Sequence, residues 1–318
     1  MIMPLQKQLD VLFVSADSSI QAYQELAKTY SAIEPPTWAL LLAQSCRSKG
    51  FGVGILDCTA EKLSMAQAVE RINEANPRLV CFVVYGQNPN SGTTNMIGNT
   101  QLADMLKERY PEYQTCFVGS HMSALPLQVL EDHEGVDMVL YNEGVYALHN
   151  LLTSNLTAED IKNIRGIGHK INERPMLNAP EKVVPQERMD IDLPGYAWDL
   201  LPYDKKPLDL YRSHFWHTEY NHDKRTPFAA VYTSLGCRFK CDFCMINIVN
   251  RNSDVNDTVS AHSSHMRYWS PEFMLKEFDK LAAMGTETIR ISDEMFFLDK
   301  RYYEPLLNGL IERDYPIR

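Results

Sequence analysis

Three cysteines with C-x3-C-x2-C spacing carry the most specific chemical signal in this sequence. They are Cys237, Cys241 and Cys244, and they follow an apolar run, residues 228–232, that predicts a buried strand. Three thiolates on one short loop can ligate three irons of a [4Fe–4S] cube and leave the fourth iron open to a small molecule. A cube with four protein ligands usually only carries electrons. The spacing therefore predicts a cluster whose open iron binds a reactant.

Two other uses of these cysteines have less support. A structural zinc site needs a fourth ligand at a familiar spacing, and His262 and His265 downstream form no second C-x2-C or finger pattern. A disulfide is disfavoured because residues 1–10 show no charged-then-apolar secretory signal. The four remaining cysteines lie in or beside apolar elements and are most simply small core residues: Cys46, Cys58, Cys81 and Cys116.

The cysteine loop closely resembles the signature of the radical S-adenosylmethionine (radical SAM) enzymes. Phe243, the aromatic residue just before the last cysteine, matches that signature too. The resemblance implies that Cys237, Cys241 and Cys244 are the metal ligands of a [4Fe–4S] cluster, that SAM binds its open iron, and that Phe243 belongs to the cofactor-binding site.

The composition favours an intracellular enzyme. The chain has 318 residues, 45% of them hydrophobic, which is enough for two domains with buried cores. Its net charge of −10 comes from interspersed acids and bases, which argues against a nucleic-acid partner. Apolar runs such as residues 79–85 are too short to span a bilayer, so we expect no membrane insertion and a cytoplasmic location.

The first 155 residues alternate between strand and helix, which predicts an α/β fold with a doubly wound parallel sheet. The predicted strands are residues 9–15, 52–57, 78–85, 114–119 and 136–140. The predicted helices are residues 36–48, 64–74, 93–110, 126–131 and 144–152. In such a fold, ligands bind outside the carboxyl ends of the strands, where the strand order reverses.

The loops at these carboxyl ends disfavour a nicotinamide cofactor. Asp57 ends the second strand, as a ribose-binding acid would, but no G-x-G-x-x-G follows the first strand. The third strand opens instead into a long polar loop, residues 85–92, and the next two strands end in Gly119-Ser120-His121 and Asn142-Glu143-Gly144.

These loops resemble the cobalamin-binding, flavodoxin-like domain found N-terminal to one large radical SAM subclass. The subclass shows a Pro-Pro pair at the first long helix, here Pro35-Pro36, and a Gly-Glu-Gly-Glu-like turn after strand five, from which Asn142 and Val145 depart. The resemblance implies that cobalamin contacts the following loop residues: Tyr85, Gly86, Ser91, Gly119, Ser120, Glu143 and Gly144. The simpler alternative is that these glycines only make tight strand-to-helix turns.

A histidine ligand to cobalt has little support. The D-x-H-x-x-G motif is absent after the first strand, and His121 and His133 do not sit in its frame. His121 is thus a weak candidate, and we expect cobalamin with its own base displaced and no histidine in its place, as the subclass often shows.

Residues 154–226 predict a Pro-rich connector between two domains. Prolines from Pro175 to Pro207 preclude long helices, and residues 164–177 predict a short hairpin that turns at Asn172-Glu173. Its aromatic residues can line a substrate pocket or pin the connector to both domains, and we favour pinning. They are Tyr196, Trp198, Tyr203, Tyr211, Phe215 and Trp216.

Residues 227–318 predict the N-terminal part of a radical SAM βα barrel. A helix over 270–284 and a strand over 288–292 follow the cysteine loop, and a third strand is expected to begin at residues 316–318. The family's barrel has about six βα units, so we expect a truncated barrel and a fragment of a longer enzyme. The resemblance implies that Asp293 and Glu294 bind the SAM ammonium; the alternative is that they are solvated acids.

Together these resemblances imply three domains, 1–153, 154–226 and 227–318, and a cobalamin-dependent radical SAM methyltransferase. Its methyl group would go to an unactivated carbon of a small molecule via a 5′-deoxyadenosyl radical, with electrons from a flavodoxin- or ferredoxin-like donor. Cyclisation or rearrangement without methyl transfer, and a non-catalytic cobalamin-binding or electron-transfer protein, remain open. The catalytic residues and the substrate are not predicted.

Overall fold

The computed structural model describes residues 8–19, 24, 32–86, 89–213, 226–239, 241–247 and 265–318, and for residues 89–91 the backbone only. The predictions made for Phe215, Trp216 and His262 lie outside these residues, and the side chain of Ser91 is likewise not described.

A seven-stranded sheet forms the first half of the molecule, in the order β2-β1-β3-β4-β5-β6-β7. Its strands are β1 (Val11–Ser15), β2 (Val53–Asp57), β3 (Leu79–Val84), β4 (Gln114–Gly119), β5 (Met138–Leu140), β6 (Ile167–Ile171) and β7 (Arg174–Leu177). The first five strands run parallel, and their order is that of flavodoxin-like folds, with the switch point between β1 and β3. The predicted doubly wound sheet is confirmed.

Helices cover both faces of this sheet. They are α1 (Thr37–Ser48), α2 (Met65–Ala75), α3 (Met96–Arg109), α4 (Ser120–Ala124), α5 (Pro126–Asp132), α6 (Val145–Thr153) and α7 (Ala158–Ile161), with a 3₁₀ helix at Pro89–Asn95. Local sequence sets their ends: Ser64 and Gln67 form a capping box at the start of α2, and Asn76 closes it in a left-handed conformation.

The predicted hairpin over 164–177 is confirmed as β6–β7, and Asn172 and Glu173 at its turn have φ values of 49° and 63°. Two successive positive φ values give a turn whose twist matches that of the strands. Because β6 pairs antiparallel with β5, the sheet continues past residue 153, the predicted boundary of the first domain.

In the second half, the described residues form two short pairs of strands. β8 (Phe228–Val231) pairs parallel with β11 (Thr288–Ile291), and β9 (Ser234–Leu235) pairs antiparallel with β10 (Arg267–Tyr268). The helices α8 (Met189–Asp192), α9 (Pro271–Ala283) and α10 (Lys300–Arg313) complete the described elements, besides short 3₁₀ turns. Arg318 exchanges backbone hydrogen bonds with Glu287 and Ile289, where the sequence predicts a third strand to begin.

The two faces of the first sheet belong to different cores. One face packs against α2 and α3 in a cluster confined to the first half of the chain. The other face packs against α1 and α6, and this cluster continues through the connector into β8, α9 and α10. The second half of the molecule is therefore buried against the first.

Aromatic residues of the connector pin these halves together, as predicted. Tyr196 and Trp198 are buried and stacked at 5.0 Å, and the Tyr196 hydroxyl both donates to the carbonyl oxygen of Tyr232 and accepts from its N–H. Trp269 donates its indole N–H to the carbonyl oxygen of Leu193 over 2.7 Å. Tyr203, in contrast, is exposed.

Over the described parts of the chain, no helix combines the length and apolar character that a membrane crossing needs.

Candidate functional site

A cavity of about 350 Å³ lies where the carboxyl ends of β1, β2 and β3 meet those of β8 and β11. It includes the switch point of the first sheet, where the fold predicts a ligand. Its wall comes from both halves: Asp17, Asp57, Trp38, Tyr85, Gly86 and Asn99 from the first, and Tyr232, Arg290 and Ser292 from the second. Of the residues predicted to contact cobalamin, Tyr85 and Gly86 line it.

Three aromatic rings form one wall of the cavity. Trp38 lies 4.9 Å from Tyr85 and 6.4 Å from Tyr232, measured between ring centroids. The indole N–H of Trp38 is buried without a hydrogen-bond acceptor, which is costly unless a ligand supplies one. Burial also raises the pKa of the Tyr85 hydroxyl, which keeps it neutral.

Asp57 closes the cavity at the end of β2. Its Oδ1 accepts the Ala60 N–H over 3.1 Å, and its Oδ2 accepts the hydroxyl of Tyr211 over 2.8 Å. Burial raises the pKa of Asp57 to about 6, against the opposing effect of these hydrogen bonds. The connector thus supplies the donor that makes this buried carboxyl group tolerable.

The cysteine loop begins at a backbone position that requires glycine. Gly236 has a φ of +89°, and a Cβ atom there would lie 2.6 Å from the carbonyl oxygen of His265. Cys237, immediately after it, is buried, whereas Cys241 is exposed and Cys244 is half-buried. All three are free thiols, and burial raises the pKa of Cys237.

The donor set of this loop fits an iron–sulfur cluster chemically, because three thiols lie within eight positions and none is bound in a disulfide. Cys237 and Cys244 contact one small apolar cluster together with Ile246 and Met295. Within the described residues, no three Cys, His, Asp or Glu side chains are gathered closely enough to hold a metal ion. The assignment of Cys237, Cys241 and Cys244 as ligands stays a prediction.

Asp293 fixes the segment that leads into this loop. Its carboxylate accepts three hydrogen bonds of 2.6 Å, from the N–H and hydroxyl of Thr233 and from the hydroxyl of Ser234. The same segment is also held by Tyr302, whose hydroxyl donates to the carbonyl oxygen of Thr233 over 2.7 Å. Both oxygens of Asp293 are therefore engaged by the protein itself.

Glu294 differs from its neighbour. Its Oε2 atom is buried without a hydrogen-bond partner, and burial raises the pKa of the carboxyl to about 7. Asp293 raises this pKa further, and the charge of Arg267 lowers it. A half-buried carboxyl group with a free oxygen can take up a cation with loss of its proton.

The small residues at the ends of β3 and β4 bring two backbones into close approach. A Cβ atom on Gly119 would overlap the carbonyl oxygen of Val84, and one on Gly92 would overlap the hydroxyl of Ser120. The Ser120 Oγ atom is buried without a hydrogen-bond partner. This edge therefore offers an unpaired hydroxyl beside two close-packed glycines, which fits the polar periphery of a large cofactor.

Glu143 makes a contact that the sequence does not predict. Its carboxylate forms a buried, two-pronged ion pair with Arg267 of β10, and its Oε2 also accepts the N–H of Val184 over 3.2 Å. Gly144 follows directly and has a φ of +74°. A Cβ atom added to Gly144 would lie 2.8 Å from the side chain of Val118. The turn after β5 thus contacts other parts of the protein through Glu143.

The other predicted residues lie apart from the cavity. Phe243 is 83% exposed. His121 lies in α4, where its Nδ1 is 3.0 Å from the hydroxyl of Thr93, and burial lowers its pKa. Ser91 lies within the 3₁₀ helix Pro89–Asn95, which contacts the turn Met245–Asn247 just after the cysteines.

Sequence reasoning did not single out Trp38, Arg267 or Arg290. Trp38 follows the Pro-Pro pair by two positions, which is a usable signal because that pair lies at the mouth of the sheet. Arg290 stands on the predicted strand 288–292, whereas no strand is predicted at Arg267. Only the tertiary structure shows which carboxylates the two arginines meet.

Comparison with known proteins gives matches for the first half alone and for most of the chain. Residues 25–152 match the family model of the B12-binding domain. An uncharacterized methyltransferase of Pyrococcus horikoshii is 25% identical over 268 residues, which is 84% of this chain and 50% of that protein. The cobalamin-dependent radical SAM methyltransferase TokK of Streptomyces tokunonensis is 25% identical over 206 residues, 64% of this chain and 26% of TokK.

Solved structures show the fold. TsrM from Kitasatospora setae, a radical SAM methyltransferase solved with cobalamin and a [4Fe-4S] cluster bound, matches with a TM-score of 0.63 at 17% identity over 96% of this chain and 54% of TsrM. The cobalamin-dependent radical enzyme OxsB matches with a TM-score of 0.65 at 15% identity over 98% of this chain and 38% of OxsB. This chain spans about half, or less, of the length of these proteins. The resemblance predicted from the cysteine loop and the carboxyl-end loops is confirmed.

Proposed function

We propose that this chain, a relative of the cobalamin-dependent radical SAM methyltransferases with its own B12-binding domain, is the cofactor-binding part of an enzyme that methylates an unactivated carbon of a small molecule. SAM at a reduced [4Fe–4S] cluster supplies a 5′-deoxyadenosyl radical when bound, and methylcobalamin supplies the methyl group. The protein contributes binding, orientation and exclusion of water.

The observation that carries this proposal is that two sets of loops face each other. The carboxyl ends of β3, β4 and β5 meet the cysteine loop, through the contact of Pro89–Asn95 and α4 with Met245–Asn247 and through the Glu143–Arg267 ion pair. A methyl group on cobalt can reach a substrate radical only over a few ångströms. Loops on opposite sides of the molecule would leave no path for it.

On the side of the B12-binding domain, we assign the cofactor to the cavity and the adjoining edge of β4. Trp38, Tyr85 and Gly86 would border it, and Ser120 would donate its unpaired hydroxyl. Gly119 has no side chain, so the cofactor could approach the backbone closely there. Glu143 and Gly144 would support this edge from behind, and no histidine is assigned to cobalt.

On the side of the cysteine loop, Cys237, Cys241 and Cys244 would hold the cluster and leave one iron for SAM. Glu294 would bind the SAM ammonium, because its Oε2 is unpaired and buried. Asp293 would position the loop, since Thr233 and Ser234 occupy both of its oxygens. The electron donor would be a flavodoxin- or ferredoxin-like protein, as the family resemblance implies.

The first experiment measures cobalamin binding by the whole chain from its absorption spectrum. We expect a base-displaced spectrum that His121→Ala leaves unchanged and that Ser120→Ala weakens. A histidine-ligated spectrum that is lost on His121→Ala would contradict the assignment of no histidine ligand. Absence of binding by the folded chain would overturn the cobalamin proposal.

The second experiment asks what the bound SAM does. The reconstituted, chemically reduced protein should cleave SAM to 5′-deoxyadenosine, which a non-catalytic cobalamin carrier does not. In the full-length enzyme, SAM with a labelled methyl group should leave label in the product. An unlabelled product would point to cyclisation or rearrangement instead.

A further inference from the structure

Within the described residues, two ion pairs cross the junction between the B12-binding sheet and the strands that carry the cysteine loop, and both have the same polarity. Glu34 of the first half accepts a two-pronged interaction from Arg290 of β11, with Nη2 and Oε2 2.8 Å apart. Glu143 of the first half does the same with Arg267 of β10. In each pair the acid belongs to the first half and the arginine to the second.

The two pairs lie at different places along the carboxyl edge. Glu34 borders the cavity at the ends of β1 to β3, next to the Pro35-Pro36 segment. Glu143 follows β5, two strands further along the sheet order. A single contact permits rotation about itself, whereas two separated contacts define the relative orientation of the two edges.

Burial and geometry distinguish these pairs from ordinary surface ion pairs. The side chains of Arg267 and Glu143 are 7% and 8% exposed, and those of Arg290 and Glu34 are 21% and 18% exposed. Forked guanidinium–carboxylate geometry fixes both distance and angle. Removal of one partner of such a pair leaves an uncompensated buried charge.

Each arginine is also tied to its own half of the molecule. Arg267 lies in β10, which pairs with β9, the strand that leads to Cys237. Its Nη1 also donates to the carbonyl oxygen of Val184 in the connector over 2.6 Å. The Nε of Arg290 donates over 3.1 Å to the hydroxyl of Ser292, which directly follows β11 and lies two positions before Glu294. Displacement of either arginine therefore moves a segment of the proposed SAM site.

We propose that Glu34–Arg290 and Glu143–Arg267 are a pair of positioning clamps that set the cysteine loop at a fixed distance and angle from the carboxyl edge of the B12-binding sheet. One clamp, Glu34–Arg290, borders the cavity that we assign to cobalamin, and the other clamp lies outside it. Their value for methyl transfer rests on the proposed function, but their mechanical role can be tested without any cofactor.

The test is amide hydrogen exchange of the cofactor-free chain. Glu143→Gln and Arg290→Gln should each raise exchange about tenfold or more in residues 228–239 and 265–269, because these segments lose a tether. Exchange in β3, which is buried on both faces, should not change. Arg71→Gln is the matched control, since it breaks an ion pair with Glu61 that lies within the first half.

The less buried clamp permits a rescue experiment. Glu34→Arg combined with Arg290→Glu reverses the pair, and the double variant should return exchange at residues 228–239 towards that of the natural chain. The proposal is overturned if either single variant leaves exchange in these segments unchanged, or if the reversed pair rescues nothing. Should Glu143→Gln unfold the chain, the Glu34–Arg290 series decides alone.

Failure of the clamps and failure of the proposed function remain separate results. A chain that shows the clamp behaviour but binds no cobalamin loses the proposed function and keeps the clamps. A chain that binds cobalamin but exchanges identically in all the variants loses the clamps and keeps the proposed function.

Discussion

The half that matches the B12-binding domain model and the cysteine-loop half bury their strands in different ways. All six residues of β3 are buried, because helices cover both faces and strands flank both edges. All four residues of β11 are only half-buried, and β11 lies at an edge of its two-stranded pair. The first half is a scaffold with a core of its own, whereas the second half relies on the first for burial.

Buried acids show the same contrast. In the first half, both oxygens of Asp57 accept a hydrogen bond from the protein. In the second half, Glu294 keeps one buried oxygen without a partner. Natural proteins leave such groups unsatisfied mainly where function requires them. Of these two acids, therefore, only Glu294 keeps a carboxylate oxygen that a ligand can engage.

The largest effect should come from the cysteine loop. Cys241→Ala removes one of three proposed thiolate ligands, so the reconstituted chain should lose the spectrum of a site-differentiated [4Fe–4S] cluster completely. Cys241 is exposed, so its removal should not disturb packing. Iron and sulfide analysis with electron paramagnetic resonance provides the measurement.

The first half provides the control for this loss. Cys81→Ala alters a buried thiol of β3 and should leave the cluster spectrum intact. Cobalamin binding should survive Cys241→Ala, because the sheet does not depend on the loop. Full iron and sulfide content in Cys241→Ala would refute the ligand assignment.

The next largest difference between the two halves should come from glycine substitutions. In Gly119→Ala the new methyl group meets the backbone of Val84, which cannot move without breaking the sheet, so we expect a loss of about 3 kcal/mol in the free energy of unfolding. In Gly309→Ala the new methyl group meets the side chain of Leu275, which can change rotamer, and alanine favours the helix. The free energy of unfolding should therefore change by no more than about 1 kcal/mol.

Urea unfolding of both glycine variants measures this difference. Equal losses would contradict the picture of a rigid first half and a more adaptable second half. Gly119→Ala should also weaken cobalamin binding, which Gly309→Ala should not.

A further effect, up to about 3 kcal/mol, should depend on pH. Burial raises the pKa of Glu294 to about 7, above the ordinary value of 4.5 that applies in the unfolded chain. The folded state therefore holds its proton more tightly, and the charged group costs stability progressively as pH rises from about 4.5 to 7. Glu294→Gln should raise the unfolding midpoint at pH 8 and change it little at pH 4.5.

Asp57→Asn gives the corresponding test in the first half. The pKa of Asp57 is raised to about 6 from 3.8, so Asp57→Asn should also raise the unfolding midpoint at pH 8. The increase should be smaller than for Glu294→Gln. SAM affinity should separate the two variants, since Glu294→Gln should weaken it and Asp57→Asn should not. A Glu294→Gln chain with unchanged SAM affinity would remove Glu294 from the proposed site.

Much of the first half follows from its sequence. Continuous apolar runs predict strands buried on both faces, and residues 78–85 contain β3 as observed. The turn residues Asn172 and Glu173 likewise mark the hairpin β6–β7. The extension of the sheet by this hairpin was not predicted, because its pairing with β5 depends on a distant partner.

The site follows from the sequence only in part. Spacing identifies Cys237 and its neighbours, because ligand spacing on one loop is local information. The different roles of Asp293 and Glu294 cannot be read locally, since adjacent acids at a strand end look equivalent until Thr233 and Ser234 are placed beside one of them. Glu143 stays a cobalamin-side prediction, although its carboxylate faces Arg267.

The hydrogen bond from Tyr211 to Asp57 has a consequence for cofactor selectivity. In dinucleotide-binding sheets, the acid that ends the second strand accepts the hydroxyls of a ribose. Here a tyrosine from the connector already donates to that acid, and Tyr211 is itself buried. A nicotinamide dinucleotide would have to displace the Tyr211 hydroxyl from Asp57 and leave that hydroxyl without a hydrogen-bond acceptor. The hydrogen bond from the connector thus disfavours a nicotinamide dinucleotide at the end of β2.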